Sequence, residues 1–259
     1  MAGGFAADPR RSAPLAFGRI VVVGGGCYGS YYVRQLRRAA AADAVVCDEI
    51  VVVDRDPACA VARERMPGDA LVRVEIAEWR AWFDRALSAA RSRGGDNRDA
   101  IVPSPLMPHL LRDWLLDAAR ARWPRRAVAV GGLDRPPDVP WERPGADGTH
   151  YVSFATWTCP INCIEPAVCP HTRGPRDWSL APAIRDWAAR RGAPAPGPFL
   201  FRCTHRAYGV GMVDVRDVLA ADAAIAAAGA DGSPVDVVVG TVSHCHGALS
   251  RVVVAPAAR

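Results

Sequence analysis

The chain has 259 residues, enough for one large domain or two small ones, with half of them hydrophobic and 23% charged, an ordinary globular balance. Its net charge of +5 comes from arginine alone, since no lysine occurs, and the arginines are scattered among Asp and Glu. Without a basic stripe a nucleic-acid-binding class is set aside, and no apolar run approaches the roughly 18 residues of a membrane span.

Residues 1–17 read as a flexible leader. Twin arginines stand before only the short apolar run Ile20–Val23, too short for an export signal, so the expected location is cytoplasmic. Arg19–Val23 is a β-branched strand, Gly24–Ser30 a glycine-rich turn, and the YYVRQLRRAAAA that follows a helix. Glu49–Asp54 is a second strand, followed by a short helix that Pro57 can start. Ala70–Ile76 is a third strand. Trp79, Trp82, Phe83, Ala86 and Leu87 then share one face of an amphipathic helix. A GGDNRD turn leads to a fourth strand, Ala100–Ser104. A helix with Leu110, Trp114 and Leu115 facing inward and a fifth strand, Arg126–Val130, complete the series. Strand and helix in alternation imply parallel pairing with helices on both faces.

The proline-rich residues 134–149 cannot continue that pattern and read as a linker. Beyond it the texture is less regular. Tyr151–Trp157 and the PFLFRC segment ending at Cys203 read as strands, with a helix broken near Pro182 between them. An alanine-rich helix stops near Gly229, and two strands, the first starting at Val235, close the chain. The expected fold is therefore α/β: a doubly wound parallel sheet over 18–133, the linker 134–149, and an irregular Cys/His-rich α+β region over 150–259.

Gly24, Gly26 and Gly29 in VVVGGGCYGS have the G-x-G-x-x-G spacing, with a strand before, a helix after and Asp54 ending the next strand. Gly24 permits a tight turn, Gly26 lets backbone meet a pyrophosphate, and Gly29 allows close packing of helix and strand. The helix N-terminus adds free N–H groups and partial positive charge. This stretch resembles the NAD(P)-binding Rossmann superfamily over about residues 18–130. The resemblance implies a bound NAD or NADP. Asp54 accepts from a ribose hydroxyl, which favours NAD, while Arg55 leaves NADP open. It also implies a ligand at the carboxyl ends of the strands, with Ser104 near the nicotinamide ribose.

The second chemical signal is TCPINCIEPAVCPHTR, from Thr158 to Arg173. Cys159, Cys163 and Cys169 stand at C-x3-C-x5-C, with His171 two residues on. A disulfide scaffold does not suit a chain without a signal peptide. Zinc would take three thiolates and a histidine, yet the tight knuckle spacing is absent. An iron–sulfur cluster tolerates wider spacing, and Cys159-Pro160 and Cys169-Pro170 resemble ferredoxin habit. Small buried cysteines in a structural loop are the bland alternative. The cluster is preferred narrowly to zinc, with Cys203 as fourth ligand and Cys245 as its rival.

If their segments are extended, Cys203 and His205 share one side, as do His244 and His246. His171, His205 and His246 are the acid–base candidates. Arg173, Arg176, Arg202 and Arg206 flank the cysteines and suit an anionic small substrate. Together these features point to an NAD(P)-dependent oxidoreductase with a metal or iron–sulfur site. The alternative is a dinucleotide-binding redox or metal sensor without turnover. No macromolecular partner, nucleic acid or membrane is expected, and the oligomeric state stays open.

Overall fold

Valine and isoleucine dominate the two strands on either side of the glycine turn, and both are buried on both faces. Such strands need helices above and below them. The computed structural model describes residues 13–64, 68–93, 97–160, 163–190 and 196–258. Most of the expected leader lies outside the described residues, but its end does not fray. β1 (Leu15–Ala16) pairs in parallel with β3 (Val45–Val46), and Phe17 is buried.

The elements of the first half follow in order. β2 (Arg19–Val23), α1 (Cys27–Ala41), β4 (Glu49–Asp54), α2 (Ala60–Glu64), β5 (Val72–Ile76), α3 (Trp79–Arg93), β6 (Ala100–Val102) and α4 (Leu110–Arg122) match the expected sequence of types. Then come β7 (Val128–Gly131), β8 (Trp141–Pro144), β9 (His150–Ser153), α5 (Leu180–Arg190), β10 (Phe199–Arg202), β11 (Thr204–Ala207), β12 (Val210–Asp214), α6 (Val215–Ala228), β13 (Val235–Val242) and β14 (His246–Val254).

The first sheet has the order β11-β12-β6-β2-β4-β5. Its four strands β5, β4, β2 and β6 are mutually parallel, and β12 and β11 extend it antiparallel. The second sheet runs β10-β13-β14-β9-β8, with β7 also on β14. It is mixed, with one parallel pair, β10 on β13. The fold is therefore mixed α/β, with one largely parallel sheet and one largely antiparallel sheet.

Alternation along the strands divides the first sheet's apolar residues between two faces. Ile20, Val22, Ile50 and Val52 pack with α1 residues Val33 and Leu36. Val21, Val23, Val51 and Val53 pack with Phe83 of α3, Trp114 and Leu115 of α4, and Ile225 of α6. That same cluster continues into Val237 and Val239 of β13 and Val252 of β14. Helices α3, α4 and α6 thus form a layer shared by both sheets, while α5 covers the outer face of the second through Leu180 and Ile184.

Three expectations need correction. The fifth strand, β7, does not join the parallel sheet but pairs antiparallel with β14. β6 instead receives β12, whose Val210, Met212 and Val213 are fully buried, whereas β7 stays partly exposed. The more apolar strand takes the dry position. Pro182 does not break its helix, because it falls in the first turn of α5, where its missing N–H has no intrahelical role. The proline-rich linker contains the exposed edge strand β8, which ends at Pro144 and pairs with β9. A proline is tolerated at such an edge. Each sheet consequently draws strands from both halves of the chain. No helix among the described residues is long and apolar enough to cross a membrane.

Candidate functional site

The glycine turn between β2 and α1 depends on conformations that only glycine supplies. Gly24 has φ +87 and donates its N–H to Val53 O at 2.9 Å. A Cβ on Gly29 would stand 1.9 Å from Gly24 O, so the third glycine allows α1 to meet the turn. Gly26 differs: a Cβ there would meet nothing within 4 Å. Its freedom is spare room beside the N-terminus of α1, where Gly26 is an N-cap without a side-chain bond and the first turn holds no acid.

Asp54 does not merely end β4. Its buried carboxylate accepts the N–H of Gly25 at 2.6 Å and of Asp56 at 2.9 Å, bracing the turn from the neighbouring strand. Asp54 also lines a cleft of about 460 Å³ with Gly26, Cys27, Ser30, Arg34 and Arg63. In this cleft Arg34 and the Ser30 hydroxyl both donate to Glu64, at 2.9 and 2.7 Å. The hydrogen bond from Ser30, then Arg34, holds Glu64 below the usual carboxylate range. Arg55 points away, 76% exposed and 4.0 Å from Glu78. Ser104 is buried just past β6, where its Oγ accepts the Leu106 N–H at 3.3 Å and closes the loop.

The cysteine stretch forms a loop between β9 and α5, organised by a residue the sequence reading passed over. Glu165, at φ +53, reaches the turn joining β13 to β14. Its carboxylate accepts the Ser243 hydroxyl at 2.7 Å and the N–H groups of His244 at 2.9 Å and Cys245 at 3.0 Å. His205 Nδ1 lies 3.5 Å away. Burial alone would raise the Glu165 pKa, but the hydrogen bonds from His205, Ser243, His244 and Cys245 outweigh it and hold it at about 2. An acid inside a cysteine motif, in NCIEP, was the available signal.

Around this anchor the aromatic residues cluster. Trp178 Nε1 donates to Cys245 Sγ at 3.2 Å. The Arg176 guanidinium lies 6.0 Å from the Trp178 ring centre, and Trp157 meets Trp178 edge-on at 6.4 Å. His171 stacks on Trp157 at 4.4 Å but is itself exposed. Arg176 Nε and Nη1 and His244 Nε2 are buried without a hydrogen-bond partner.

The thiols differ sharply. Backbone N–H groups of Thr172 and His171, the Thr172 hydroxyl and Arg176 outweigh burial and lower Cys169 to about 7. Burial pushes Cys159 up, and neighbouring Cys163 and Cys169 add to it. Burial likewise raises Cys245 to about 11. Burial also works against the Arg176 charge, but Cys245, Cys169, Cys163 and Glu165 more than offset it. Arg176 is therefore the common neighbour of four thiols, Cys159, Cys163, Cys169 and Cys245. Among the described residues, no group of three or more His, Cys, Asp or Glu is arranged to hold a metal ion.

Cys203 stands apart, at the crossing from β10 to β11. Its N–H donates to Val242 O at 2.8 Å, and its Sγ would lie 2.6 Å from a Cβ on Gly211 of β12. Burial, then Glu165, pushes its pKa to about 12, and it adds to the burial that raises Tyr32 of α1. His205 also faces Gly211, so the expected same-sided pair holds. The expected pairing of His244 with His246 rested on an extended strand, whereas Ser243–Cys245 form the turn before β14. His246 Nδ1 lies 2.9 Å from Ser153 Oγ, and burial lowers its pKa. Of the flanking arginines, Arg206 is paired with Asp214 at 2.5 and 2.8 Å, and Arg173 and Arg202 are exposed.

The two regions approach each other. Val23 and Pro103, at the carboxyl ends of β2 and β6, line one small void with Thr241, two residues before Ser243. No curated protein and no solved structure matches the chain. A family model does, over residues 112–255, more than half the chain, from α4 to the end of β14 and including the whole thiol loop. The chain belongs to the family described as AF_1314_C, "Uncharacterized protein, C-terminal domain".

Proposed function

We propose that this protein is an NAD(P)-dependent oxidoreductase, with the dinucleotide over Gly24–Gly29 and a cysteine-rich metal or iron–sulfur centre in the second half acting on a small anionic substrate. The observation that carries the reading is the open side of Gly26 at an uncapped helix N-terminus. Unsatisfied N–H groups and helix-end charge there suit a pyrophosphate. The order β5-β4-β2-β6, all parallel, supports a Rossmann-like half, whose crevice falls between β2 and β6. When bound, the nicotinamide would supply or accept a hydride. The chain's own part is to hold the phosphates at α1, offer Asp54 to the ribose, and bring His205 and His246 beside the thiol loop for proton transfer.

The test is direct titration of the purified protein with NADH and NADPH, following energy transfer from its tryptophans and heat by calorimetry. Gly26→Ala should leave the fold intact and weaken dinucleotide binding at least tenfold. Equal binding by the variant, or no binding of any dinucleotide by the wild type, would remove the reading. A sensor without turnover is supported by one feature, the lowered pKa of buried Cys169 among other thiols, since the thiolate is the form that oxidants attack. Steady-state oxidation of NADH with a panel of acceptors separates the two.

A further inference from the structure

We infer that Cys159, Cys163, Cys169 and Cys245 are the four thiolate ligands of an iron–sulfur cluster, and that Cys203 is not one. The inference rests on the reading that the second half holds a metal or cluster centre, and it deepens that reading by assigning the ligands.

Three sets of contacts draw the cysteine loop and the β13–β14 turn together. Glu165 accepts the Cys245 N–H at 3.0 Å, which ties the segment beginning at Cys163 to the β13–β14 turn. The backbone N–H of Cys169 donates to Gly174 O at 2.9 Å and that of Arg176 to Ala167 O at 2.7 Å, a tight fold that brings the Cys169 and Arg176 backbones together. Trp178 donates to Cys245 Sγ, lies beside the Arg176 guanidinium and touches Trp157, two residues before Cys159.

The same region holds donors that need something to bind. Arg176 Nε and Nη1 are buried without acceptors, which is costly in a folded protein. Cluster sulfides and thiolates would accept from them, and N–H donors toward sulfur are a means by which proteins set cluster potentials. The Arg176 cation would offset the net negative charge of a thiolate-ligated cluster. Zinc fits less well. A single ion needs its sulfurs within about 2.3 Å, and no three donors among the described residues are arranged for that. A cluster spreads its ligands over several iron atoms. Cys203 is excluded by position, since its Sγ packs against the β12 backbone at Gly211.

The full-length protein would be reconstituted under argon with iron, sulfide and a thiol reductant. Iron, acid-labile sulfide, zinc and the visible spectrum would then be measured. The expected result is about four iron and four sulfide per chain. Cys245→Ser and Cys163→Ser should each lose most of the chromophore, and Cys203→Ser should keep it. Circular dichroism of the cluster-free variants checks folding. If Cys245→Ser does not fold, Cys163→Ser and Cys203→Ser still decide, because it is the Cys245 thiol that accepts the Trp178 indole N–H. Zinc in place of iron, full iron in Cys163→Ser, or loss of iron in Cys203→Ser would overturn the inference. Absence of any metal would overturn the centre itself. NADH titration of the same samples is scored separately, so a failed oxidoreductase reading with an intact four-cysteine cluster leaves the ligand set standing.

Discussion

Gly26 and Gly29 share a motif but not a physical task. A Cβ on Gly29 would collide with Gly24 O, a backbone atom that cannot swing aside. Gly29→Ala should therefore cost about 3 kcal/mol, read as a lower urea midpoint, before any ligand is considered. Gly26→Ala should stay within about 1 kcal/mol of wild type, since only a helix N-cap is altered. The same scale governs the acid response. Burial acts to raise Asp147, yet hydrogen bonds from Thr149 and Arg112 outweigh it and hold it at about 2, below its ordinary 3.8. A depressed carboxylate stabilises the fold above its unfolded pKa and loses that effect as pH falls through the folded one. Asp147 is 43% exposed, so solvent screens the gain to under about 1 kcal/mol. Asp147→Asn should lower the urea midpoint near neutral pH, and the difference should vanish as pH falls from about 4 to about 2. A difference that grows toward acid would contradict this account.

Helices and strands with strong periodicity were legible because their faces are local facts. Trp82, Phe83 and Leu87 are buried as their spacing on α3 predicts, and Trp114 and Leu115 likewise on α4. The loop from β9 to α5 has no such period. Its shape is set by Glu165, whose partners lie 78 to 80 residues further on. A contact of that separation leaves no local trace, so the cysteines were visible but their arrangement was not. Glu165→Ala would strip an acceptor from four donors at once, His205, Ser243, His244 and Cys245. The expected cost is roughly 2–3 kcal/mol, with faster amide exchange at His244 and Cys245 and through residues 163–176. Unchanged exchange there would mean that the anchor is not what orders the loop.

At the scale of the whole molecule, the two sheets are built from interleaved segments. β12 covers the edge of β6, and α6 joins α3 and α4 in the layer between the sheets. A fragment of residues 1–133 should therefore lack a cooperative urea transition, although it holds all four parallel strands of the first sheet, because β6 would be an open edge and the α3–α4 face would be bare. A cooperative fragment would mean that the parallel strands are self-sufficient. Composition, β-branched runs, glycine spacing and helical periodicity by themselves determined most of the helices and the longer strands, though not β1, β3, β8, β11 or β12, and also where the first turn bends and which stretch gathers thiols, since each follows from local sterics and side-chain polarity. Only the tertiary structure decided that β7 joins β14, that β12 completes the parallel sheet, that Asp54 braces the glycine turn, and that Cys245 Sγ accepts from Trp178 while Cys203 Sγ lies beside Gly211. Those outcomes depend on which apolar surfaces bury one another and which buried donors find an acceptor, and both are settled between residues far apart in the chain.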